Sequence, residues 1–450
     1  MKLAPLLSAA WLAVAAMPGA AEVIERQQSV RPLPGGLDSV LMVNDNNPEL
    51  IDDDGILIST FPDGKAASVP VVLNGRFDLF SHHVYAGDAE GSPSSTLWLA
   101  VLAAPLGNAP VTLQLLSGST SLSQATGPGQ TQAPFLPLPS LMPETTDVVA
   151  SGPGSRVAGD LLAGRRAAEL TNRRWTLAPG APTQLLLLPI PVAGLDPLLN
   201  GRNLQLRFHS SGPVALATLA AHGEDGKAPS EQHWLQLLKD QRMSSKEHQP
   251  TPRGSKGKII YSRVSGVQIG SSWRARITDP GSPVLAAPTA PISWPISSLE
   301  RGTLATNQVQ TAELKRFYPG TAWAAHGNYG VEYDLTLPLQ NTGSAAVTLQ
   351  LSLDSPLKGN STTSLLRFRD DLNGPVMFRG PVQTTGLEDS EGVAKGRQTQ
   401  HLVLRQGQQG PSLGQLMLKP GEAKQVRVRL VYPADATPPQ VLTVQPVKQS

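Results

Sequence analysis

Apolar and polar residues alternate with a period of two along much of this chain. Tyr333, Leu335, Leu337 and Leu339 alternate with Asp334, Thr336 and Pro338. Past Asn341-Thr342-Gly343-Ser344, Val347, Leu349, Leu351 and Leu353 alternate with Thr348, Gln350 and Ser352. Successive strand side chains point to opposite faces, so each run predicts a half-buried β-strand, and the Asn/Gly turn between them predicts a hairpin. Near the C-terminus Val426, Val428 and Leu430 alternate with Arg427 and Arg429, a strand whose arginines face water. Helical patterning is confined to two places. Ser155 is placed to cap a short helix through Leu161 to Arg166, and Ser230-Glu231 to start one through Trp234, Leu235 and Leu238.

The chain also echoes itself. Val111-Thr112-Leu113-Gln114-Leu115 recurs as Val347-Thr348-Leu349-Gln350-Leu351, and Leu177-Ala178-Pro179-Gly180 is answered by Leu418-Lys419-Pro420-Gly421. The landmarks lie 68 residues apart in the first copy and 73 in the second, counting Val111 to Pro179 and Val347 to Pro420. Two landmarks in one order at similar spacing predict a duplicated unit. The expected fold is mostly β: two tandem immunoglobulin-like β-sandwich units with a few short helices. The first unit spans residues 22–238 and the second 259–450, joined by a basic Ser/Gly/Pro-rich linker over 239–258.

Composition sharpens this picture. A chain of 450 residues has ample length for two cores, so its lack of cysteine is no obstacle to folding. Glycine (42) and proline (41) are abundant but dispersed, as many short strands and turns require. Lys2, the apolar run Leu3–Met17 and the small residues Gly19-Ala20-Ala21 form the three parts of a secretory signal peptide over residues 1–21, so the protein is expected in the periplasm or outside the cell. No later run is apolar for long enough to anchor the mature chain in a membrane as a helix. A net charge of +2 with no basic stripe argues against nucleic acid as a partner. The absence of cysteine excludes disulfides, cysteine metal sites and a lipid-anchored cysteine.

Several stretches resemble one family. They are Pro32–Asp38, Gly75-Arg76-Phe77-Asp78, Ser81-His82-His83, Ala325–Gly330 and Tyr432–Leu442. The similarity spans essentially the whole mature chain and is to exported cyanobacterial proteins grouped as domain of unknown function 3370. It implies a cyanobacterial source and an extracytoplasmic location. It carries no activity, cofactor or catalytic residue.

Candidate chemistry is sparse. The chain has no Gly-x-Ser-x-Gly elbow, phosphate-cradling glycine loop or His-Glu-x-x-His zinc signature, so no cofactor, metal or catalytic residue is expected. His82 and His83 are adjacent, so a regular strand would send them to opposite faces. The oxygen-rich stretch Asp45–Gly55 reads either as a solvated turn or as a calcium loop without EF-hand spacing. The densest feature is Phe317–Tyr333, with five aromatics in seventeen residues interleaved with Gly320, Gly327 and Gly330. Aromatic faces on a sandwich suit sugars or peptides, so Tyr318, Trp323, His326 and Tyr329 are the expected ligand-binding residues. The leading expectation is a non-enzymatic binding or scaffolding protein whose partner is envelope polysaccharide or another envelope protein. A hydrolytic envelope enzyme and an assembly factor for exported proteins are the alternatives.

Overall fold

Alternation along the sequence becomes alternation of burial. In the strand Glu332–Gln340, Tyr333, Leu335, Leu337 and Leu339 are buried while Glu332, Asp334 and Thr336 are half-exposed. The computed structural model describes residues 22–447 apart from 63–66, 88–94, 125–139, 144–151, 224–226 and 360. The expected leader, residues 1–21, lies outside the described residues.

The chain begins with β1 (Val23–Gln27), β2 (Ser29–Val30), β3 (Gly36–Leu37) and β4 (Leu41–Leu50). It continues through β5 (Gly55–Ser59), β6 (Leu73–Ala86), β7 (Thr96–Pro105), β8 (Val111–Leu122) and β9 (Leu141–Pro143). Helix α1 (Pro153–Ala163) precedes β10 (Arg174–Leu177), β11 (Thr183–Pro191) and β12 (Leu199–His222), and α2 (Glu231–Asp240) closes this half. Next come β13 (Val264–Ile269), β14 (Ser272–Arg276), β15 (Leu285–Ala286), β16 (Ile292–Ile296) and β17 (Leu314–Phe317). The last stretch holds β18 (Glu332–Gln340), β19 (Val347–Asp354), β20 (Leu365–Arg369), β21 (Val376–Thr385) and β22 (Arg397–Arg405), then β23 (Ser412–Leu418), β24 (Ala423–Val431) and β25 (Gln440–Pro446).

Strand order fixes the architecture of the second half. Its strands β16, β18, β19, β21, β22, β23, β24 and β25 pair as β16-β25-β19-β23 in one sheet and β18-β24-β21-β22 in the other. Numbered along the chain, that is 1-8-3-6 facing 2-7-4-5, the order of a jelly roll. The first half shares part of this order: β6-β12-β8-β10 corresponds to β16-β25-β19-β23, while β7 pairs both β11 and the far end of the long β12, so these strands belong to one sheet. Between β8 and β10 the described chain carries β9, which pairs β22 of the second half, and α1. The two shared pentapeptides hold equivalent places: Val111 pairs Leu177 and Val347 pairs Leu418, each just before a Pro-Gly turn with positive φ.

These pairings overturn the expected hairpin and bear on two further expectations. An immunoglobulin sandwich keeps its last strand in the sheet of the strand before it. Here β25 lies between β16 and β19, opposite β24. The runs around Asn341 are no hairpin either, because β18 and β19 belong to opposing sheets. Their apolar faces meet across one core that holds Leu335, Leu337, Leu349 and Leu351. Finally, the sheets do not divide at residues 239–258. β1 pairs β20, β2 pairs β16 and β3 pairs β14, while β13 and β17 extend the first-half sheet beyond β4. Open strand edges are covered by segments from the other half, so backbone donors and acceptors find partners.

The basic linker is likewise no free tether. Arg242 O accepts from Ile56 N–H, and the fully buried Arg263 donates to Ser244 O at 2.8 Å, which fastens the segment against the body. Both helices form where expected. Ser230 accepts from His233 N–H and caps α2, whereas Ser155 lies inside the first turn of α1, whose N-cap is Gly152.

Candidate functional site

The aromatic segment leaves β17 at the edge of the first-half sheet and returns to the second-half core at β18. Its rings separate on the way. Tyr318 is 3% exposed; its hydroxyl donates to Ala67 O at 2.7 Å and accepts from Ser59 N–H at 2.9 Å. Tyr333 is fully buried, with its hydroxyl held among Asn328, Ser297 and Gln310. Tyr329 stacks on Phe80 at 6.4 Å and 15°, approaches Tyr432 at 5.8 Å and donates to Ala436 O. Burial pushes its phenol pKa well up. Tyr318 and Tyr329 are therefore packing residues. Each has a backbone partner for its hydroxyl, which makes burial of the ring favourable.

Trp323 and His326 stay at the surface, half-buried, and line a cavity of about 420 Å³. Three segments form it: 250–261, 299–313 and 322–326. Tyr261 is 43% exposed and meets His326 edge-on, with ring centroids 4.5 Å apart. The Arg253 guanidinium lies 4.8 Å from the Trp323 ring centroid, within cation–π range, and pairs with Glu313 at 2.6 Å. Arg301 donates to Gly257 O and so pins the 250–261 segment across the opening. Ile260 and Val309 stand about half-exposed at the cavity. Burial lowers the His326 pKa to about 4, so its ring is neutral at neutral pH and offers one donor and one acceptor. Burial raises the Tyr261 pKa, and the Arg301 charge opposes that shift.

Of the four residues expected from sequence, the fold brings Trp323 and His326 together and sends Tyr318 and Tyr329 into the cores. It adds Arg253, from the expected linker, and Tyr261 and Arg301, which the sequence reading did not single out. The apolar triplet Ile259-Ile260-Tyr261 after a basic stretch was the available signal, because exposed apolar groups next to charge mark contact surfaces.

Other candidates resolve as structure. His83 is fully buried, 3.0 Å from Asp45, while His82 on the opposite face is half-exposed by area; burial lowers its pKa to about 4. The acidic stretch begins as buried strand rather than solvated turn. Asp45 also accepts from Thr218, Asp53 accepts from Ser244 and Ser245, and Asp54 accepts from His222. Among the described residues no cluster of three metal-ligating side chains occurs.

The fold and site define a class: a mostly β protein with a jelly-roll strand order in its second half and part of that order in its first, with an aromatic-lined cavity formed largely by loops. The chain belongs to the family described as protein of unknown function, DUF3370, whose model matches residues 28–446. No curated protein matches the sequence. Among solved structures it is similar to the 11S allergen of Cocos nucifera, at 12% identity over 85% of this chain and 88% of that one. The TM-score there is 0.10, which carries no argument, so the fold rests on the strand pairing above.

Proposed function

We propose that this is an exported, non-enzymatic binding protein of the cyanobacterial envelope, periplasmic or extracellular, whose cavity beside Trp323 holds a neutral glycan. The reading is carried by one observation. Trp323 and Tyr261 present half-exposed rings to a cavity large enough for a short oligosaccharide, with Arg253, Glu313 and Arg301 as polar contacts. A flat ring face suits the apolar side of a sugar, and charged side chains at the rim suit its hydroxyls. The partly shared strand order and the equivalent pairing of the shared pentapeptide support duplication of one unit as the origin of the two halves.

The test is a titration of the mature chain with neutral oligosaccharides cut from envelope polysaccharide, read by tryptophan fluorescence. Saturable quenching, lost in Trp323→Ala with little change in melting temperature, is the expected outcome. Equal binding by that variant, or no binding at all, would retire the reading.

A hydrolytic reading has one supporting observation, since Glu300 and Glu313 line the same cavity and glycoside hydrolysis uses paired carboxyls. Release of reducing ends from the bound glycan, abolished by Glu313→Gln, would replace binding with catalysis.

A further inference from the structure

We infer that the outer face of the sheet β14-β18-β24-β21 is a second binding surface, and that its ligand is an acidic polysaccharide. The registers place side chains in two rows across this face. Arg274 on β14 lies beside Asp334 on β18, which lies beside Arg429 on β24 and then Gln383 on β21. One step along, Arg276, Thr336, Arg427 and Thr385 form the second row. The residues between them, Trp273, Ala275, Tyr333, Leu335 and Val428, are buried, so the strand period sends every arginine outward. Neighbouring strands are about 4.8 Å apart and the rows about 6.6 Å apart, a regular array of guanidinium groups.

Only part of the charge in this array is spent internally. Four arginines share the two rows with one carboxylate, Asp334, which Arg427 holds with two hydrogen bonds of 2.7 Å. Glu332, the next outward residue on β18, is taken by Arg429 at 2.6 Å and by Arg207 from the first half at 2.9 Å. Arg274 and Arg276 are exposed and have no ion pair among the described residues. Such groups can gain a carboxylate or sulfate without breaking an existing pair, and a guanidinium fork binds either one bidentately.

The surface also has relief. A depression of about 510 Å³ over Arg274, Arg276 and Arg427 meets one of about 260 Å³ that reaches Arg76 and Arg207 on the first half. The two share Arg274 and Asp334, so one trough crosses from sheet face to junction. At the junction end Arg76 pairs with Asp78 and Arg207 with Glu332, with Asp38 beside them, so the cations without an ion pair lie at the Arg274–Arg276 end. A trough in which the unpaired guanidiniums of Arg274 and Arg276 alternate with ion-paired arginines and carboxylates fits a chain of spaced charges better than one small ion. Neither depression is lined by an aromatic ring on which bases could stack, and no apolar side chain of size projects for insertion into a bilayer. The interleaved Asp334 and Glu332 favour a polymer of sparse charge, such as a polyuronate, over a dense phosphate backbone.

Calorimetry of the mature chain with polygalacturonate, dextran sulfate and neutral dextran tests this. Binding to the first two and not the third, weakening with added salt, is expected. The double variant Arg274→Ala/Arg276→Ala should bind at least roughly tenfold more weakly, the worth of one charge-assisted hydrogen bond, at an unchanged melting temperature. Trp323→Ala should leave this binding intact, so failure here and failure of the cavity reading are told apart. Wild-type affinity in the double variant, or no preference over neutral dextran, overturns the inference. So does tighter binding to single-stranded DNA or phosphatidylglycerol vesicles than to either acidic polysaccharide.

Discussion

The carboxylate of Asp435 caps helix α1 from the other half of the molecule: one oxygen accepts from Ser155 N–H at 2.6 Å and from Ser155 Oγ at 2.8 Å. Gly152, the N-cap residue, has no side chain to do this, and a Cβ there would stand 2.3 Å from the Asp435 carboxyl carbon. Val157, Ala158, Leu161 and Leu162 pack with Val431 of β24, so the helix is wedged between the two strand sets. Asp435→Ala removes the cap and leaves a buried donor unpaired, at an expected cost of about 2 kcal/mol. Gly152→Ala should be destabilising through the clash alone. Urea unfolding of both variants checks this, and wild-type midpoints would show that the contact contributes nothing.

Tyr318 separates packing from binding. Its hydroxyl is the partner of Ala67 O and Ser59 N–H inside the first-half core. Tyr318→Phe keeps the ring and strands both groups, so stability should fall by about 1–3 kcal/mol. Glycan binding should stay as in wild type. A binding loss without a stability loss would contradict the placement of this residue in the core.

Gly330 is required by its backbone. Its φ is +77°, and an added Cβ would sit 2.7 Å from the Phe80 ring. The left-handed conformation alone costs a non-glycine residue roughly 1–2 kcal/mol, and the clash adds to it. Gly327 has no positive φ, and an added Cβ there would come no nearer than 3.1 Å to its neighbours. Gly330→Ala should therefore lower the melting temperature clearly more than Gly327→Ala does. The reverse order would mean the turn repacks freely.

Acid should weaken the fold. Burial lowers the pKa of His82, His326 and His401 to about 4; His83 adds to the first, and Arg379 and Arg156 to the last. Unfolded histidine titrates near 6.5, so between those values the unfolded chain binds protons that the folded chain refuses. Their contribution is complete above about pH 6.5 and lost as pH falls through about 4. Asp435 runs the other way. Its pKa is raised by burial, so its contribution is complete below the ordinary value of 3.8 and lost as pH rises through the folded value. The histidines dominate the weakly acidic window by number. Melting temperature should fall from about pH 7 to about pH 4.5, less steeply in His82→Gln. A flat profile in the wild type would refute the shifts.

The pentapeptide echo, the Leu-x-Pro-Gly echo and the mostly β character are all legible in the sequence alone. These follow from local rules: β18, β19 and β24 bury the residues their alternation assigns to the inner face, and α2 starts at the serine that can cap it. The site was legible only in part. Aromatic density pointed to 317–333, yet nothing local distinguishes Trp323, left at the surface, from Tyr318, whose hydroxyl finds partners 251 and 259 residues away.

The sequence by itself determined which face of each strand is apolar, because side chains alternate by covalent geometry. Tertiary structure decided which strand lies beside which. Pairing uses backbone N–H and C=O groups that every residue but proline carries, so alternation names a face and no partner. This is why β18 and β19, read as a hairpin, lie in opposing sheets. It is also why Arg253 of an apparent linker stands over Trp323, 70 residues along the chain.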